Sequence, residues 1–183
     1  MKKNILKFLP LVAMALVAFT FVACGGSNDE EDIPKKETLK TLEAGFKAAV
    51  SSELLKYFDV EVQLVNKTTG EKKTEILKEA TAETSRFSTN KLPQTFGLTY
   101  KFSKKGDAPE KFSSSRTIQV YCRGIYSYWG TNGSFSINHI VSDPNGTKLT
   151  LEGVVDAPVD ELLETLNAVG EFTYTIEEGE VTF

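Results

Sequence analysis

The sequence is poor in the residues that carry metal and redox chemistry: its 183 residues include one histidine and two cysteines. His139, Cys24 and Cys122 lie far apart along the chain, so no zinc site is assembled from them. No glycine-rich phosphate loop is present, and spacing alone places no serine or cysteine beside His139. No catalytic residue, metal ligand or cofactor is therefore assigned. A basic excess is missing as well. The formal charge is −4, and a chain without positive excess lacks the field that attracts nucleic acid, which is excluded as a partner. Long apolar runs are also absent: the uncharged stretch from Phe8 to Ala23 falls short of the ~20 residues that comfortably cross a bilayer.

What is present begins at the N-terminus. Lys2, Lys3 and Lys7 precede the uncharged run, and Asp29, Glu30, Glu31 and Asp32 follow it. Positive before and acidic after is the arrangement that carries the downstream chain across a membrane, so residues 1–23 read as a removed secretory signal. The three lysines leave with it, taking the charge from −4 to −7. The site Phe21-Val22-Ala23-Cys24 resembles the lipobox of bacterial lipoproteins, which makes Cys24 the lipidated N-terminus. At about 0.8 kcal/mol per buried methylene, two or more acyl chains anchor a protein effectively permanently. With Cys24 acylated, Cys122 has no internal disulfide partner. It alternates with Ile118 and Val120, which suits a small buried hydrophobe.

Residues 24–36 read as an acidic tether with almost nothing to bury, and 37–183 as a single domain. From Thr38, the spacing of Leu39, Leu42, Phe46, Ala49 and Val50 predicts a short amphipathic helix. The period then switches to two. Phe58, Val60, Val62 and Leu64 alternate with polar residues, and Lys67–Glu71 turns the chain into a hairpin with residues 73–77. Phe96, Leu98, Tyr100 and Phe102 mark a half-buried strand, and 117–128 a longer one with a possible bend point at Gly124. A Gly130–Gly133 turn leads to Phe135, Ile137, His139 and Val141 on one strand face. Asp143-Pro144-Asn145-Gly146 then turns into a strand through Leu149, Leu151, Gly153 and Val155. Pro158 starts and Gly170 ends a second short helix around Leu162, Leu163 and Leu166. Phe172, Tyr174 and Ile176 form the last strand, with Val181 and Phe183 continuing it or pairing back. Six to eight short strands and two short helices predict a mostly β fold, an antiparallel β-sandwich of immunoglobulin-like or related type.

The candidate binding residues are Tyr126, Tyr128 and Trp129, clustered at a strand end beside the Gly130–Gly133 loop. Aromatic side chains at a sandwich rim can stack on sugar rings or anchor a protein. The plainer alternative is that the tyrosines extend the buried face through Cys122 while Trp129 covers the sandwich end. Glu177, Glu178 and Glu180 read as a solvated edge.

Gly25-Gly26-Ser27-Asn28-Asp29-Glu30-Glu31-Asp32 after the lipobox resembles the acidic export signal of surface lipoproteins from Bacteroides-type bacteria. Residues 50–60, with Thr69-Gly70-Glu71, look like a set of small lipoproteins of unknown function from that group. The resemblance implies lipid-anchored display on the outer membrane, facing the cell exterior, and implies no activity. Two functions compete at this point: a surface module that binds glycan or protein, and a hydrolase that uses loop carboxylates on surface glycans.

Overall fold

Alternation of apolar and polar side chains produces strands wherever one face can be buried and the other left wet. The computed structural model describes residues 36–113, 117–141, 147–152 and 155–183. The signal segment, Cys24, the tether residues before Lys36, the Asp143–Gly146 turn and Gly153 lie outside the described residues. Lys36–Phe183 is one compact unit.

In chain order the strands are β1 (Leu39–Val50), β2 (Phe58–Asn66), β3 (Lys72–Ile76), β4 (Thr81–Glu83), β5 (Phe87–Thr89) and β6 (Gln94–Lys104). They continue with β7 (Lys111–Ser113), β8 (Ile118–Gly130), β9 (Phe135–Val141), β10 (Thr147–Leu151), β11 (Val155–Pro158) and β12 (Phe172–Ile176). One α-helix, α1 (Val159–Asn167), and two 3-10 turns complete the described elements. The first sheet has the order β10-β8-β1-β4, with β5 also on β1 and β9 on β8. The second runs β12-β6-β2-β3, and β7 and β11 form a small pair. Every pairing is antiparallel.

The two sheets share one core. Phe58, Val60, Val62, Leu64, Phe96, Leu98 and Phe102 of the second sheet cluster with Leu42, Phe46, Val50, Ile118, Val120 and Cys122 of the first. Two tyrosines of the second sheet reach the backbone of the first. The Tyr100 hydroxyl donates to Tyr121 O at 2.8 Å and accepts from Ala49 N at 2.8 Å. Tyr174 donates to Gly45 O at 2.8 Å, and its ring meets Phe46 edge-on at 5.1 Å. Burial raises both phenols far above their ordinary range. Gly124 makes room for this contact, since a Cβ there would stand 2.7 Å from the Tyr174 ring. The pairing of β8 with β1 runs through Gly124 in register.

The segment expected to be helical from Thr38 is instead β1, the centre of the first sheet. Its inner row is Leu42, Ala44, Phe46, Ala48 and Val50, a strict period of two. Ala49 is buried on the other face. Counting it together with the inner row produced the apparent helical spacing. Pairing with β8 along the whole strand outweighs any local helix preference, which Gly45 already lowers by about 1 kcal/mol.

The second helix forms as expected. Pro158 is its N-cap, and Val159, Leu162 and Leu166 are buried one turn apart. β12 covers only Gln94–Leu98 of β6. Beyond it the Asn167 amide stands in for a strand, accepting from Phe102 N at 2.9 Å and donating to Phe102 O at 3.1 Å. Two further expectations need correction. The strand drawn through Leu149 and Val155 is two strands, β10 on β8 and β11 on β7. Val181–Phe183 is not a strand; it follows a 3-10 turn at Glu178–Glu180.

Candidate functional site

Successive side chains of a strand point to opposite faces, so β8 separates the three aromatic residues that the sequence clusters. Tyr126 and Tyr128 face inward and are 6% and 4% exposed. Trp129 is half-buried on the outer face. The three therefore do not form a common exposed platform. Tyr128 donates to Thr182 O at 3.1 Å and meets Phe183 edge-on at 5.6 Å. Burial raises the Tyr126 phenol, with Glu180 and Tyr128 adding in the same direction.

His139 stacks between these tyrosines, with ring centroids 4.8 Å from Tyr126 and 5.4 Å from Tyr128. Its Nε2 lies 2.6 Å from Ser136 Oγ. A hydroxyl and an imidazole at that distance match a nucleophile and its base. Among the described residues, however, no carboxylate takes the other ring nitrogen. Spacing could not place this serine, because residues three apart share a strand face only where the strand is irregular.

The irregularity is a bulge in β9. Tyr126 pairs with His139 but Tyr128 pairs with Ser136, so Ser127 faces both Ile137 and Asn138. Asn138 has φ 58°, in the left-handed region that asparagine tolerates better than most residues. The bulge is held from several sides. Asn138 N donates to Ser127 Oγ at 3.0 Å, and Arg86 donates to Ser127 Oγ at 2.8 Å and to Asn138 Oδ1 at 3.3 Å. Ser127 is 2% exposed.

The bulge changes the parity of the strand. Without it, Phe135, Ile137, His139 and Val141 would share a face, as the alternation predicts. With it, His139 and Val141 turn inward, and Phe135, Ile137 and Ile140 are 65%, 56% and 57% exposed. Phe135 pairs with outward Trp129, and Ile140 with outward Ile125. Further along the same face, Arg123 of β8 lies directly opposite Lys47 of β1. A hollow of about 170 Å³ is lined by Lys47, Tyr121, Arg123, Ile125 and Ile140. Like charges facing each other across strands repel. The nearest cross-strand acid, Glu83 beside Lys47, lies 3.6 Å from Arg86. The hollow thus has two cations and an aliphatic floor, a combination that suits a carboxylate beside an apolar group.

At the far end of β8, on the side of Tyr128 and Phe183, Glu37 holds the loop that follows the strand. Its carboxylate accepts from the Ser134 hydroxyl, from Ser134 N at 3.2 Å and from Asn132 N at 3.1 Å. The Ser134 hydroxyl, with smaller help from the two amides, lowers its pKa against a weaker opposing desolvation. A carboxylate so engaged is a loop clamp, not a poised acid. An open hollow of about 610 Å³ adjoins it, lined in part by Leu39, Leu92, Glu178, Val181 and Phe183.

Cys122 is buried in the core, where alternation predicts it. Comparison with protein-family models, with curated proteins and with solved structures finds no match to this chain.

Proposed function

We propose that this protein is a lipid-anchored binding module of the outer-membrane surface, and that the outer face of its first sheet grips a protein bearing carboxylates. On this reading the signal 1–23 is removed, Cys24 carries the lipid and the acidic segment after it directs display outward, as in the small surface lipoproteins it resembles. The observation that carries the reading is the locked bulge. A left-handed asparagine, a buried serine and an arginine hold an edge strand so that Ile137 and Ile140 face solvent. Strain kept in this way marks sites of function more often than of stability. Apolar residues exposed together beside charge mark interaction surfaces. The partner is acidic because Lys47 and Arg123 are concentrated here on a chain of negative net charge. Protein is favoured over glycan because the residues that the bulge turns out beside the cations, Ile137 and Ile140, are aliphatic, and the ring that lines the hollow, Tyr121, is only partly exposed. The bulge also opposes addition of a strand along the β9 edge, so the partner docks on the face.

A photoreactive side chain at Ile140, expressed on intact cells, tests this. Protein adducts are expected there, strongly reduced by Arg123→Glu, with none from the same group at Gln63 on the second sheet. Equal adducts at both positions, or retention on immobilised glycans that Ile140→Ser abolishes, would overturn it.

A further inference from the structure

We propose that the end of the sandwich where the chain enters the domain rests on the lipid surface, with Trp129, Phe135 and Phe183 at the acyl boundary. This rests on the reading of Cys24 as the anchor. The entry point is defined by pairing. Leu39 lies opposite Gly130, Thr38 N donates to Thr131 Oγ1 at 3.2 Å, and Glu37 holds the loop through Ser134 and Asn132. That loop joins β8 to β9, and Trp129 and Phe135 are the cross-strand pair at its base.

Phe183 reaches the same place. Its ring packs on Tyr128 and stands 2.7 Å from where a Gly130 Cβ would be. Phe183 is 48% exposed and Phe135 65%, while Trp129 is half-buried. Three aromatic side chains thus surround the point from which the chain leaves toward Cys24. Exposed Lys36 and Lys40 flank it, placed to meet lipid phosphates.

The length of the preceding segment supplies the occupant. Lys36 follows Cys24 by twelve positions, and a chain of that length reaches at most about 40 Å. An acylated Cys24 therefore confines the domain to within that reach of the bilayer. Contact becomes an intramolecular event, so a few interfacial aromatics suffice where they would not recruit a free protein. Tryptophan and phenylalanine suit this position, since their rings settle between headgroups and chains. Glu37 and Glu178 are the acids that line the adjoining hollow, and the Glu37 carboxylate is taken up by the amides of Asn132 and Ser134. The arrangement also orients the binding face. Arg123 is six residues from Trp129, about 20 Å along β8.

Trp129 is the single tryptophan of the chain, so its emission reports this residue alone. The full-length lipidated protein is reconstituted in phosphatidylcholine vesicles with or without bromine near the glycerol end of the acyl chains. Bromine quenches only on contact. The expected result is a blue-shifted emission quenched about twofold by the brominated lipid, and less so in Phe135→Ser, as for an indole at the interface. A reporter moved by Tyr121→Trp in a Trp129→Phe background stays unquenched. Several results would overturn the inference. One is a protein that floats with the vesicles while its Trp129 emission ignores bromine. Another is equal quenching of the two reporters. A third is loss of iodide access without bromine quenching, which would mean that a second copy covers the indole. A protein that fails to float overturns the anchor reading, and the inference with it.

Discussion

Phe102 and Lys101 are neighbours in β6 with opposite fates. Phe102 is 3% exposed and meets Phe58 edge-on at 6.2 Å, whereas Lys101 points to solvent. Phe102→Ala leaves a cavity in a shared core and is expected to cost about 3–5 kcal/mol. Lys101→Ala is expected to stay within about 0.5 kcal/mol, as surface changes usually do. A denaturant titration separates the two, and equal midpoints would mean that this strand is not half-buried. Glu37 supplies a pH-dependent counterpart. Its folded pKa lies below the ordinary glutamate value, so its contribution is present above the unfolded pKa and disappears as pH falls through the folded one. The amide resonances of Asn132 and Ser134 should therefore shift on acidification below about pH 4.5. Glu37→Gln should remove that transition, and a transition that persists in it would belong to another group.

The elements divide by how completely one face stays wet. β2, β6 and β8 alternate with solvent on at least part of one side, and their periodicity is plain in the sequence. α1 is legible for another reason, because Pro158 and the leucine spacing act locally. β1 is not legible. It is central, small at Ala44, Gly45, Ala48 and Ala49, and buried on its outer face too at Gly45 and Ala49, so no single periodicity survives. β4, β5 and β7 have three residues each, too few to carry a pattern. The candidate site was legible only in part. Trp129 stands on the proposed face, but Tyr126 and Tyr128 belong to the core, and Phe135, Ile137 and Ile140 were missed as a set. Their common orientation depends on the β9 bulge, whose partners Ser127 and Arg86 are remote in sequence. Asn138, an asparagine between Ile137 and His139 in β9, is the one local sign. Asn138→Gly keeps the backbone freedom and should change stability by less than about 1 kcal/mol, whereas Asn138→Val places a β-branched residue at φ 58° and should cost about 1–3 kcal/mol. Thermal unfolding of the two variants checks this, and equal melting temperatures would show that the bulge is not held at Asn138.

At the scale of the molecule, the proposals give the chain a direction: lipid at Cys24, an aromatic end against the bilayer, and a cationic, aliphatic face raised toward a partner. Processing is the first requirement of that scheme. Cys24→Ala should abolish lipid labelling and leave the signal uncleaved by lipoprotein signal peptidase. Continued membrane partition of a cleaved Cys24→Ala protein would remove the anchor. Neutralising Asp29, Glu30, Glu31 and Asp32 should preserve lipidation but reduce surface exposure, read by protease shaving of intact cells; undiminished exposure would reduce the acidic run to a spacer. The central claim is that the bulged face is occupied where the protein works. Hydroxyl-radical footprinting of the purified protein and of intact cells tests it most directly, because the molecule carries its own control. Ile140 and Ile76 are 57% and 56% exposed on different sheets, and side-chain oxidation scales with exposure. The account predicts that both oxidise alike in the purified protein and that Ile137 and Ile140 become protected on the cell while Ile76 does not. Equal oxidation of Ile140 and Ile76 on the cell would contradict it.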